Sequence, residues 1–185
     1  MSPYPRIEVS LASFYDIMIL TGPNPDDAQS MSDHFVSLTT LHQSPLSRHI
    51  EGPEGWWWIN LLPKGVGYGV SYDRGYFIES HAECLRIVRE IYEHIRTAPP
   101  FVCALAGWEI EDRLFDLEDA EYVWEHESVR INGILVDNPG AVVPITWWKK
   151  MQRMEDYDSE SFEPFREGLV WSPDLGITLK AYGRK

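Results

Sequence analysis

The residues of this chain that could do chemistry crowd into one stretch, Glu109 to Glu127, where nine acids (109, 111, 112, 116, 118, 119, 121, 125 and 127) meet a single base, Arg113. Like charges packed this closely raise the energy of a compact chain unless solvent or a positive partner neutralises them. Three readings follow. The run can be a solvated face. It can hold Mg²⁺ or Ca²⁺ through its carboxylates, although it does not follow the EF-hand spacing D-x-[DN]-x-[DN]-G. Or it can bind a basic protein, because the aromatic residues Trp108, Phe115, Tyr122 and Trp124 interleave with the acids, as in an interface core with a charged rim. The binding reading selects Trp108, Glu111, Asp112, Asp116, Asp119, Tyr122 and Trp124 as contact residues. A second acidic stretch, Glu155, Asp156, Asp158, Glu160, Glu163 and Glu167, would strengthen the same field if both fell on one side of the fold.

Other catalytic patterns are not formed. The histidines at 34, 42, 49, 81, 94 and 126 make no H-E-x-x-H, H-x-H or Cys/His zinc spacing. His126, between Glu125 and Glu127, is the one placed to serve as an acid or base. Cys84 and Cys103 form no C-x-x-C pair, and each sits in an apolar pattern, which reads as buried core; a disulfide between them stays open. No G-x-S-x-G elbow occurs. Gly65-Val66-Gly67-Tyr68-Gly69 is G-x-G-x-G, without the spacing of a dinucleotide loop, and it leads into a strand-like run. The expectation is therefore a binding protein with no catalytic residue, no metal site and no cofactor; the alternative is a small carboxylate- or metal-dependent hydrolase built on the 109–127 acids.

Bulk properties narrow the partners. At 185 residues the chain is the size of one domain, 1–185. Its formal charge of −13 argues against direct nucleic-acid binding, because phosphates would be repelled by the mean field. The apolar runs are too short for a membrane helix, and the start MSPYPRIEVS lacks the blocks of a signal peptide, so the expected compartment is the cytoplasm. Aromatic residues make up 13% of the chain, more than a core of this size needs, so some rings are expected to face a partner.

The elements that must position these residues follow from hydrophobic period. Ile7 to Leu20 reads as extended, one strand or two, and stops at Thr21-Gly22-Pro23. Asn24-Pro25-Asp26-Asp27 is a helix start, and Ala28, Met31, Phe35, Leu38 and Leu41 recur at helical spacing, predicting a helix from about 25 to 42 that carries His34 and His42. Gly55 to Ile78 alternates turns with β-formers and predicts an antiparallel meander; Trp56 and Trp58 point to one side of it and Trp57 to the other. Ser80-His81-Ala82-Glu83 is a capping box that opens an amphipathic helix running to Arg96 before Pro99-Pro100. Phe101 to Ala106 reads as a strand leading to Gly107-Trp108-Glu109, and Asn132-Gly133 marks a hairpin. Pro144 to Met154 fits a strand or a short helix, Ser159 to Arg166 reads as irregular, and Leu169 to Ser172 and Ile177 to Tyr182 as short extended pieces. Runs of strands broken by two amphipathic helices define an α+β fold, a mostly antiparallel sheet with the two helices packed against it.

One resemblance joins these features. The Ser/Glu-capped helix Ser80 to Arg96, F-x-x-x-L-A-G-W-E at Phe101 to Glu109, F-E-P-F at Phe162 to Phe165 and G-x-V-W at Gly168 to Trp171 resemble the immunity proteins of bacterial polymorphic-toxin and type VI secretion systems. The resemblance is to an α+β, tryptophan-bearing family that accompanies restriction-endonuclease-like nuclease toxins, and it covers the middle and C-terminal two thirds of the chain. It implies an antitoxin that acts by stoichiometric binding to a cognate toxin, a basic nuclease domain encoded by the adjacent gene, and it carries no catalytic residues. The triple tryptophan and the long acidic run are not part of that family's pattern.

Overall fold

The computed structural model describes residues 13–50, 56–68, 81–108, 140–152 and 162–175. Its strands join in one antiparallel sheet, with three helices among the described residues, so the α+β expectation holds. In chain order the elements are β1 (Ser13–Gly22), α1 (Pro25–Phe35), β2 (Leu46–Ile50), β3 (Trp56–Leu61), β4 (Gly67–Tyr68), α2 (His81–Thr97), β5 (Cys103–Trp108), β6 (Val142–Pro144), α3 (Ile145–Met151), β7 (Glu163–Arg166) and β8 (Leu169–Trp171). Across the sheet the order is β2-β3-β1-β5-β6-β8-β7, and β4 also pairs with β1.

β1 is flanked by strands on both sides, which explains its apolar run Ile17 to Leu20: a strand covered on both faces needs no polar alternation. Tyr15, Ile17 and Ile19 face one core, together with Ile59, Leu61, Ala104, Ala106 and Val142; Met18 and Leu20 face the other, with Trp58, Cys103, Leu105 and Val143. α1 and α2 cover the first face. Met31 and Phe35 from α1, and Val88, Ile91, Tyr92 and Ile95 from α2, are fully buried there. On the second face, Trp147 and Trp148 of α3 pack against the sheet with Trp56, Val102 and Phe162. The tryptophan triplet divides between the faces as its alternation predicts, Trp58 in the second core and Trp57 against the first.

Local chemistry sets the element ends. The Asn24 side chain accepts from the Asp26 backbone N–H at 3.1 Å and Pro25 occupies the first turn, so α1 starts where its capping residues require. It ends at Phe35, about two turns short of the predicted boundary near 42. The Val36 N–H turns back to the Asp33 carbonyl, further tight turns carry the chain to Leu41, and Leu41 bridges Pro63 instead of continuing the helix. Leu38 and Leu41 keep an apolar spacing because they pack against the same core, and His42 lies beyond the helix. α2 begins at His81; Ser80, the cap predicted from sequence, lies outside the described residues, and the Glu83 carboxylate grips Arg86 at 2.7 and 2.9 Å.

Three further differences from the sequence reading have physical causes. Within the predicted meander β3 and β4 do not pair with each other, and residues 69–78 lie outside the described residues. Both run antiparallel to β1, β3 along Ile17–Gly22 and β4 at Ser13–Phe14, with Gly65 at φ 76° in the intervening turn. β2 is a strand that the sequence reading left unassigned. Its five residues have little apolar signal of their own and are held by an unbroken register against Trp56 to Asn60. Glu163–Arg166, read as irregular, is β7. It closes a hairpin with β8 across Glu167-Gly168, where Gly168 sits at φ 76°. The ambiguous Pro144–Met154 stretch resolves as α3, entered directly from β6, with the Ile145 N–H bonded to the Gly168 carbonyl at 2.9 Å.

The sheet's two ends differ. β7 carries Pro164 and an irregular register between Pro164 and Arg166, devices that blunt an edge, while β2 has neither. Among the described residues no helix is long and apolar enough to cross a membrane.

Candidate functional site

Of the residues selected from the sequence, Trp108 is the one whose place in the fold is described. It is the last residue of β5, paired with Tyr15 of the central strand, and the preceding Gly107 pairs with Asp16. Glu111, Asp112, Asp116, Asp119, Tyr122 and Trp124 lie outside the described residues, as do His126, the Asn132-Gly133 hairpin and Ile177 to Tyr182. The candidate surface therefore starts where β5 leaves the middle of the sheet.

The strands around that point are firmly held. The Tyr15 hydroxyl donates to the Leu175 carbonyl at 2.7 Å and is fully enclosed; burial first, then the nearby Tyr92, Asp16 and Asp174, pushes its pKa well above the ordinary value. Asp16 is 3% exposed and alternates with Met18 and Leu20, so its carboxylate belongs to the second face, as does Asn60 opposite Met18. A charged side chain within Tyr-Asp-Ile-Met-Ile was the available signal for this position, and the sequence reading passed over it as part of a strand.

Among the described residues, both cysteines and His34 are tied into the core or the helix ends. Cys84 and Cys103 are both buried and both free. They lie on opposite faces, Cys84 in the first core and Cys103 in the second, which settles the disulfide left open by sequence. Burial raises both thiols, Cys103 to about 12, so neither is a thiolate at neutral pH. His34, at the end of α1, has its ring Nε2 3.1 Å from the His94 carbonyl near the end of α2. A carbonyl only accepts, so the ring donates. Thr97 Oγ1 donates to the same carbonyl at 3.1 Å, and the two bonds satisfy a helix end while joining the helices. Among the described residues no group of three or more His, Cys, Asp or Glu side chains could hold a metal ion.

Two arginines that the sequence reading did not single out lock the C-terminal hairpin to α2. Arg96 lies over the Phe165 ring at 4.3 Å and the Trp171 ring at 5.2 Å, and donates to the Phe165 carbonyl. In return Arg166, on β7, donates to the Ala98 carbonyl at 2.7 Å and the Pro99 carbonyl at 3.2 Å, and covers Phe101 at 4.3 Å. Partial burial lowers the Arg166 pKa. The exchange satisfies carbonyls just past the α2 end, where intrahelical donors run out, and places cationic planes on aromatic faces. It explains why the F-E-P-F and G-x-V-W motifs sit where they do: Phe165 and Trp171 are the rings that receive Arg96. Their rings also meet each other at 5.6 Å and Tyr92 at 6.3 and 5.3 Å.

No protein-family model, no curated protein and no solved structure was found to match the chain.

Proposed function

We propose that this chain is an immunity protein that binds and neutralises a cognate secreted antibacterial toxin, a basic nuclease domain, by stoichiometric contact and without catalysis. The observation that carries the proposal is the charge of −13 together with the placement of aromatic residues among nine acids between Trp108 and Glu127. A nuclease must be basic to hold nucleic acid, and an acidic surface with embedded rings is its complement. Charge brings the two together quickly and buried rings keep them together. Support also comes from the two cysteines, whose raised pKa values unsuit them to nucleophilic attack. The resemblance of the Phe101–Glu109, Phe162–Phe165 and Gly168–Trp171 motifs to those of toxin-system immunity proteins motivates the same reading. The protein would act in the cytoplasm of the producing cell, where a nuclease would find its substrate, and would itself contact neither nucleic acid nor membrane.

The test is a binding measurement with the purified product of the adjacent gene. We expect a complex with a Kd on the order of nanomolar or tighter. Alanine at Trp108, Tyr122 and Trp124 should speed dissociation, each buried anchor contributing about 2 kcal/mol or more. Reversal of Asp112, Asp116 and Asp119 to lysine should instead slow association and flatten its salt dependence. If the protein protects cells with no detectable toxin contact, the proposal is overturned. Loss of a measurable turnover on changing a single one of these acids to its amide would establish the hydrolase in its place.

A further inference from the structure

We draw no further inference here: the strongest candidate, the buried indole N–H groups of Trp58 and Trp148 beneath α3 on the second face of the sheet, which meet no acceptor among the described residues, carries nothing because nothing among the described residues shows a ligand they would bind.

Discussion

On the first face of the sheet the buried hydroxyls of Tyr15 and Tyr92 donate to the Leu175 and Gly140 carbonyls, and the half-buried Arg96 and His34 donate to the Phe165 and His94 carbonyls. On the second face, Trp58 and Trp148 bring large rings whose indole N–H groups find no acceptor among the described residues. Trp171 shares that condition on the first face, where its ring lies tilted against Tyr92 and Phe165. Hydrogen bonds are directional and area burial is not. The face covered by α1 and α2 is thus held in one arrangement by bonds that link distant segments, up to 160 residues apart for Tyr15 and Leu175. The tryptophan face adds buried area and shape around the buried polar Asp16 and Asn60.

The contrast can be broken or sharpened by mutation, and the largest effect should come from packing on the first face. Phe35 is fully buried beneath α1, and Phe35→Ala should lower the free energy of unfolding by about 3–5 kcal/mol in a denaturant titration, because the cavity cannot collapse between two helices and a sheet. A loss below about 1 kcal/mol would mean that the helix layer is loosely packed and the comparison unfounded.

Gly140 should come next. It adopts φ 78°, and a Cβ there would meet the Tyr92 hydroxyl at 2.6 Å. Gly140→Ala therefore combines left-handed backbone strain, roughly 1–2 kcal/mol, with displacement of the Tyr92 bond, about 1 kcal/mol more. Gly168→Ala is the control. It has the same sign of φ but open space around the added methyl, so it should show the strain alone, and equal losses at the two glycines would deny the Tyr92 contact any role.

A smaller effect separates the polar chemistry of the faces. Tyr15→Phe and Tyr92→Phe should each destabilise by about 1 kcal/mol, since each leaves a buried carbonyl unpaired. On the second face the matching observation is spectroscopic. The Trp58 indole proton should resonate upfield of a hydrogen-bonded indole, and a downfield, bonded position would show that the face has acceptors and remove the contrast.

The last effect is negligible at neutral pH and grows only at alkaline pH. The folded protein holds the Cys103 proton up to about pH 12, whereas an unfolded cysteine releases it near 8.5. Above about pH 8.5 the unfolded chain therefore binds fewer protons than the folded one, and stability falls as pH rises through that window. Cys103→Ala should flatten this part of the pH profile, and an unchanged slope would place the thiol in contact with water.

What the sequence determined by itself was local. Turn and cap residues placed the start of α1, and a 3.6-residue apolar period placed α2 from end to end, because these signals act between residues a few positions apart. Alternation assigned Trp57 and Trp58 to opposite faces for the same reason. Its acidic, aromatic stretch named the candidate contact residues, of which the structure positions Trp108 at the end of β5. Only the tertiary structure decided which strands are neighbours. β3 and β4 both pair with β1 because burying the most apolar strand at the centre outweighs the short loop between them. β2 and β7 are strands because partners hold them; neither β2's unbroken register on β3 nor the guanidinium exchange between Arg96 and Arg166 is encoded in nearby residues. The two cysteines, equivalent in sequence pattern, are separated by the thickness of a sheet, since which face a strand residue takes depends on the register chosen by its partners.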